Sequence, residues 1–150
     1  MRQLARLAGK GANMLTDFLI DAGAEKVHDN LHMRAGGVHA IADGVFKFND
    51  VNFFHAAEVK LGEGDFTKNQ NVVYRALKSG QEIEMWGSGA DKVAARLGLT
   101  ANEAGVYKVP AGRLQIEVFS FKHDGMLNPS RTKILNDALS RGVNARGGLN

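Results

Sequence analysis

One apolar stretch, residues 53–61, limits the folds open to this chain more than any other segment. It reads Phe-Phe-His-Ala-Ala-Glu-Val-Lys-Leu and stops at Gly62, which is typical of a buried strand. Because strand side chains alternate between two faces, Glu58 and Lys60 point one way, and His55 points the other way with the apolar core. Burying a carboxylate and an ammonium is costly unless they are paired or hold a metal ion. We therefore expect the chemistry on the Glu58–Lys60 face.

Hydrophobic periodicity places helices and strands around this stretch. The pattern predicts helices within residues 2–22, broken at Gly9 and Gly11, and the polar segment 25–34 is expected to extend or follow them. Further helices are predicted after the Thr67–Gln70 capping box, over residues 91–97, and from Pro129 onward. Strands are predicted within 38–48, where Asp43-Gly44 is a hairpin-turn signal, and over 82–86 and 114–119.

This order of elements predicts a single α/β domain over residues 1–150, with helices flanking a central group of strands. Its core is expected within about residues 12–141, and the Gly/Asn-rich tail 142–150 is expected to fray. The chain has no cysteine, which excludes disulfides, thiolate metal sites and a cysteine nucleophile. No apolar run approaches the ~20 residues of a membrane span, and the net charge of +3 mildly favours an anionic partner.

Acidic and basic residues near the central strand fit metal-assisted phosphodiester hydrolysis. That reaction needs a divalent cation held by carboxylates, and stabilisation of developing negative charge. Asp43 and Glu58 could supply the carboxylates from two adjacent strands, and Lys60 could orient water or neutralise the transition state. Gln70, in the first turn of the next helix, could contact water or phosphate. The expected ion is Mg²⁺, with Zn²⁺ or Mn²⁺ as alternatives.

The same residues resemble a known family. Asp43, then Glu58-Val59-Lys60, then Thr67-Lys68-Asn69-Gln70 is similar to the PD-(D/E)xK nuclease superfamily, and especially to C-terminal nuclease toxin domains of contact-dependent inhibition and other polymorphic toxin systems. The resemblance implies a restriction-endonuclease-like fold, with a four-stranded mixed sheet flanked by helices. It also implies Asp43 and Glu58 as metal ligands, Lys60 as the catalytic lysine and Gln70 as an auxiliary group. Ala42 stands where many members have proline.

Several assignments stay open. Members of the family often add an acid from the preceding helix, which Glu25 or Asp21 could supply, and Thr67 and Asn69 are further auxiliary candidates. Asp50 competes with Asp43, which also fits a turn, and the capping box alone explains Thr67 and Gln70.

Basic residues and histidines outside the motif have possible functional roles, but simpler structural roles are alternatives. Lys68, Arg131 and Lys133, with Arg141 and Arg146, are candidates for contacting nucleic-acid phosphates, against the alternative of a solvated face. His28 and His32 have the spacing of a zinc pair on a helix, but a solvated pair is favoured. The glycine-rich segment 86–92 is interpreted as a turn, because it lacks P-loop spacing.

The expected function is therefore a divalent-metal-dependent endonuclease acting as an antibacterial toxin. DNA is the favoured substrate and tRNA the second. The chain would be secreted within a larger effector, would act in the cytoplasm of a target cell, and would need a cognate immunity protein. The alternatives are a cytoplasmic housekeeping nuclease for repair or restriction, and a non-catalytic nucleic-acid-binding module.

Overall fold

The apolar stretch forms the longest strand of a four-stranded central sheet. A computed structural model describes residues 2–141 of the protein, with side chains from residue 11. The central sheet contains β1 (Glu25–His28), β4 (Gly44–Lys47), β5 (Phe54–Leu61) and β8 (Leu114–Phe121), in the order β1-β4-β5-β8. The first two pairings are antiparallel and β5 pairs with β8 in parallel, so the sheet is mixed.

A second, antiparallel sheet was not predicted. It contains β2 (Leu31–Ala35), β3 (Val38–Ala42), β6 (Ile83–Trp86) and β7 (Tyr107–Val109), in the order β3-β2-β6-β7. Its alternate residues, such as Met33, Ala40 and Met85, are buried in one core cluster with Phe54 and Ala56 of β5. The two sheets therefore share a hydrophobic core.

Four helices flank the sheets in the described part of the chain. α1 (Arg2–Asp21) packs through Leu15 and Leu19 on the β5 face that carries Ala57. The other three are α2 (Lys68–Lys78), α3 (Ser88–Leu97) and α4 (Pro129–Arg141), and their apolar faces join the core shared by the two sheets. The predicted class is confirmed: one α/β domain with a mixed central sheet flanked by helices.

The first helix is continuous, which corrects the predicted break at Gly9 and Gly11. A Cβ at Gly11 would lie 3.3 Å from Val59 Cγ1. The glycine therefore lets α1 approach β5 closely instead of ending the helix. The tail 142–150 and Arg146 lie outside the described residues.

The polar segment 25–34 is not helical. It forms β1 and β2, so His28 and His32 do not share a helical face as the zinc hypothesis required. His28 Nδ1 lies 3.1 Å from Lys92 Nζ, and His32 Nδ1 lies 3.2 Å from His39 Nε2. Leu31 and Met33 alternate inward along β2 and are buried, which explains why the segment forms a strand.

The predicted hairpin at Asp43-Gly44 is also wrong. β3 and β4 follow one another along the chain but belong to different sheets, so Asp43 marks the passage from one sheet to the other. A Cβ at Gly44 would lie 2.7 Å from Phe46 Cε2, so close packing explains this glycine. The segment 86–92 is not simply a turn, since α3 already begins at Ser88.

Other local predictions are confirmed. Thr67 and Gln70 form the reciprocal capping box of α2, and α3 ends at Gly98 in the left-handed conformation. Asn128 Oδ1 accepts from Arg131 N at the start of α4. His55 has its side chain 16% exposed and packs against Phe53. A search of the described helices for one that is both long and apolar enough to cross a membrane found none.

Candidate active site

Asp43 and Glu58 meet where the two sheets join. The Asp43 backbone N–H donates to the Ala57 carbonyl over 2.9 Å, and Asp43 Oδ2 accepts from the Val59 N–H over 2.8 Å. These two bonds lie on either side of Glu58 along β5. The last backbone pair between β4 and β5 is Gly44 with Ala57. Next to it, the Asp43 carboxylate accepts the hydrogen bond from the β5 backbone. This bond holds Asp43 beside Glu58.

Lys60 lies next to Glu58 on the same face of β5, as strand alternation predicted. Its Nζ is 3.9 Å from Glu58 Oε2 and donates to Gln70 Oε1 over 2.8 Å. The Lys60 side chain is 13% exposed and that of Glu58 is 6% exposed. Gln70 Oε1 also accepts from the Thr67 N–H, so the capping box that begins α2 fixes the amide that contacts Lys60. The structural and functional interpretations of Gln70 are therefore compatible.

Tyr74 belongs to the same cluster, and sequence analysis missed it. It is fully buried, and its hydroxyl donates to Glu58 Oε1 over 2.5 Å and contacts the Ile41 carbonyl at 3.2 Å. Tyr74 follows Gln70 by one helical turn, so both side chains face β5. That i, i+4 spacing from Gln70 was the available signal, but an aromatic residue on the buried face of a helix is usually just core.

Electrostatics set Glu58 apart from the other acids. Burial raises the pKa of Glu58 well above its usual value of 4.5, and the adjacent Asp43 carboxyl raises it further through charge repulsion and a hydrogen bond. Lys60 and the Tyr74 hydroxyl oppose these effects. Burial and the negative charge of Glu58 likewise raise the pKa of Tyr74 well above 10.0. Glu58 is thus held beside a second carboxyl group in a place that disfavours its own ionisation.

The donor chemistry of this pair fits a hard divalent cation. Mg²⁺ is usually held by one or two carboxylates together with water. Asp43 and Glu58 would be those ligands, and a bound cation would offset the repulsion between them. Among residues 2–141 no group of three or more His, Cys, Asp or Glu side chains gathers in a way that could hold a metal ion.

Two other predicted acids lie away from the pair. Glu25 lies on β1, not on a helix, and both its carboxylate oxygens accept from Arg96 Nη1 over 3.0 Å. It is opposite Lys47, two strands from β5 and towards the start of that strand. Asp21, at the end of α1, is exposed. The structure therefore does not bring either residue to Glu58.

Asp50 and the two polar auxiliaries also lie apart from the carboxylates. Asp50 is exposed in the turn beyond β4, at the far end of the β4–β5 ladder from Glu58. Thr67 contributes through the capping box, and Asn69 is exposed on the first turn of α2. Of the two competing aspartates, Asp43 is the one that adjoins Glu58.

The predicted basic residues do not form one patch. Arg131 donates to the Glu63 and Gly64 carbonyls over 3.2 and 3.3 Å, which holds the loop before α2. Lys133 is exposed and pairs with Asp137, while Lys68 is exposed at the start of α2. Arg141 lies ten residues from Arg131 on α4, ~15 Å along the helix axis. Lys68 and Arg131 are therefore the basic residues that flank the segment leading from Lys60 into α2.

The chain was also compared with known proteins. Neither models of protein families, nor curated proteins, nor solved structures gave a match.

Proposed function

We propose that this protein is a divalent-metal-dependent nuclease, with Asp43 and Glu58 as metal ligands. The observation that supports this most directly is that Asp43, bonded to Ala57 and Val59, is held beside Glu58, whose side chain is only 6% exposed and has Lys60 at 3.9 Å. When bound, the cation would lower the pKa of water and supply a nucleophile at neutral pH. A buried carboxyl group such as Glu58, held beside a second one with no such role, would be costly to keep.

The protein's own residues have separate tasks in this proposal. Lys60 provides a compact positive charge for the phosphate oxygens. Gln70 holds the Lys60 ammonium in place by accepting its 2.8 Å hydrogen bond. Tyr74 fixes the Glu58 carboxylate. The start of α2 adds the positive end of a helix dipole near Lys60, which favours a phosphate there.

The decisive experiment incubates the purified protein with plasmid DNA and with total RNA, in Mg²⁺ and in EDTA. We expect cleavage in Mg²⁺ only, with DNA favoured over structured RNA such as tRNA. Glu58→Gln and Lys60→Ala should each lower the rate by at least ~100-fold, because each removes a group that acts on the transition state. Glu117→Gln is the matched control, since Glu117 is an acid of the neighbouring strand that pairs with His55.

Full cleavage by both Glu58→Gln and Lys60→Ala would refute the assignment. Salt-sensitive binding without any metal-dependent product would instead indicate a nucleic-acid-binding module.

We further propose that the nuclease acts as an antibacterial toxin, delivered within a larger effector and neutralised by an immunity protein. The support is the resemblance of Glu58-Val59-Lys60-Leu61-Gly62 and the downstream Thr67-Lys68-Asn69-Gln70 to toxin nuclease domains. Expression of the chain alone in a bacterium should stop growth, and Lys60→Ala should relieve the arrest. Normal growth with active enzyme in the lysate would favour a housekeeping role in repair or restriction.

A further inference from the structure

The antiparallel sheet has one buried face and one open face. Leu31, Met33 and Met85 point into the core. Strand alternation therefore turns the intervening residues outward. The outward residues on β2, β3 and β6 include His32, Arg34, His39, Ile41 and Trp86. Ile41 is 44% exposed, and the Arg34 side chain is 42% exposed.

Three rings on this open face contact one another. His32 and His39 are stacked, with ring centroids 5.4 Å apart and planes inclined by 19°. The Trp86 ring lies 5.9 Å from His32 and 5.0 Å from His39. The Arg34 guanidinium lies 5.2 Å from the Trp86 ring centre, and its Nε donates to Glu84 over 3.0 Å. We call His32, His39, Trp86 and Arg34 the ring cluster.

We propose that the ring cluster binds unpaired bases of the nucleic acid on which the protein acts, a proposal that rests on the nuclease function above. Flat rings and a guanidinium plane offer surfaces on which any base can stack. Arg34 pairs with Glu84, and the exposed Lys108 is opposite Glu84 across the β6–β7 pair, so two cations flank one carboxylate here and are available to a phosphate backbone. A duplex hides the faces of its bases inside the stack, so single-stranded segments are the ligand that this surface fits.

The ring cluster is connected to the candidate active site through β3. His39 and Ile41 are outward residues of this strand, and the Ile41 carbonyl lies 3.2 Å from the Tyr74 hydroxyl that donates to Glu58. Asp43 follows two residues later, at the sheet junction. β3 is the edge strand of its sheet. A single strand bound along this edge would therefore pass from the ring cluster towards Asp43.

The sequence offers a direct probe, because Trp86 is the only tryptophan. The experiment titrates the wild-type protein, held in EDTA to prevent metal-dependent cleavage, with single-stranded DNA and RNA 12-mers and with the matching blunt duplexes. We expect the single strands to quench Trp86 emission and the duplexes to quench it at least ~5-fold more weakly. The DNA and RNA arms show which backbone is preferred.

Variants test the cluster itself, with binding measured by fluorescence anisotropy of a labelled strand. His39→Ala and Arg34→Ala should each weaken single-strand binding at least ~5-fold. Arg96→Ala is the matched control, since Arg96 also lies 5.2 Å from an aromatic ring centre, that of Phe54, and pairs with Glu25. It should bind as the wild type does. Circular dichroism verifies that all three variants are folded.

Several results would overturn the inference. These are single-strand binding without a change in Trp86 emission, equal affinity of Arg34→Ala and Arg96→Ala, and equal quenching by duplexes. Emission that responds only to an inhibitory protein partner would assign the face to that partner, and would also overturn it. Cleavage without quenching refutes the ring cluster and leaves the nuclease intact. Quenching without cleavage refutes the nuclease and leaves base binding by the ring cluster intact. If neither quenching nor cleavage is seen, both proposals are refuted.

Discussion

Glu58 is the residue on which the site depends, because its surroundings both stabilise and oppose its charge. Lys60 at 3.9 Å and the Tyr74 hydroxyl at 2.5 Å favour the carboxylate, while burial and Asp43 favour the protonated acid. The effects of burial and Asp43 are stronger than those of Lys60 and Tyr74, so the pKa of Glu58 is raised. A group in this condition responds to pH and to cations far more than a surface acid does.

The raised pKa predicts how stability changes with pH. Well below pH 4.5, its ordinary pKa, Glu58 is protonated in both folded and unfolded chains and contributes no pH dependence. As the pH rises further, the unfolded chain releases the proton and the folded chain keeps it, so folding stability falls, by at most ~1.4 kcal/mol per pH unit for one proton. Glu58→Gln should lack this decline, so its stability relative to the wild type should increase steadily between pH 4.5 and the folded pKa. Urea unfolding in EDTA at several pH values measures it, with Glu117→Gln as the control. A constant difference between Glu58→Gln and wild type would contradict the prediction.

Tyr74 offers a second test at the same scale. Tyr74→Phe keeps the buried ring but removes the donor to Glu58, and should cost about 1–3 kcal/mol of unfolding free energy. If Glu58 is a metal ligand, the loss of its partner should also lower cleavage about 10–100-fold. Tyr107→Phe is the matched control, because the only other tyrosine donates to Asp91 over 2.8 Å at the surface. Equal activity of the two variants would remove Tyr74 from the site.

At the scale of elements, α4 completes a strand edge that would otherwise be open. The Asn136 side chain accepts from the Val118 N–H over 3.1 Å and donates to the Val118 carbonyl over 2.8 Å. One turn earlier, Thr132 Oγ1 accepts from the Ser120 N–H over 2.9 Å. Helix side chains therefore replace a neighbouring strand along β8, which also protects the edge from pairing with another chain.

This arrangement predicts which polar side chains of the α4–β8 contact matter. Asn136→Leu should cost about 1–3 kcal/mol for each backbone group that it leaves unpaired. Ser120→Ala should change stability by less than ~0.5 kcal/mol, since Ser120 Oγ is buried and has no hydrogen-bond partner among the described residues. Denaturant unfolding of Asn136→Leu and Ser120→Ala measures the two losses of unfolding free energy. A Ser120→Ala loss as large as that of Asn136→Leu would show that the hydroxyl has a role.

Local signals predicted the elements with a long, capped or alternating pattern, and failed for the strands without one. The eight-residue run of β5 and the capping box of α2 each identify their element from the local sequence alone, so both were predicted. β1 reads Glu-Lys-Val-His with one apolar residue, and β7 has only three residues, so neither shows the two-residue period that the four-residue β6 has. Asp43-Gly44 misled because a turn dipeptide and a junction between sheets look alike in sequence. Only the pairing of β4 with β5, and not with β3, shows that Asp43-Gly44 is a junction between sheets and not a hairpin turn.

At the scale of the whole molecule, the site is assembled from parts that meet only on folding. Its residues come from the β3–β4 junction, β5 and α2, between positions 43 and 74. The spacing of the motif already links Asp43, Glu58, Lys60 and Gln70 in the sequence. The helical spacing from Gln70 is compatible with Tyr74 but does not select it, and no spacing excludes Glu25, because both outcomes depend on how α2 and β1 pack around β5.

Because the two carboxylates come from different parts of the fold, a cation bound between them should stabilise the folded chain as a whole. A ligand that binds only the native state adds about 2.7 kcal/mol at 100 times its Kd, and in a domain of this size each kcal/mol raises Tm by ~2–4 °C. The wild-type Tm should therefore rise with Mg²⁺ concentration. Asp43→Asn is the informative variant, since an amide oxygen can still accept from the Val59 N–H while the charge is lost. Its Tm should stay flat in Mg²⁺, whereas that of Glu117→Gln should follow the wild type. Equal Mg²⁺ responses in Asp43→Asn and wild type would place any bound cation elsewhere, and the two carboxyl groups would then be a structural contact between the sheets.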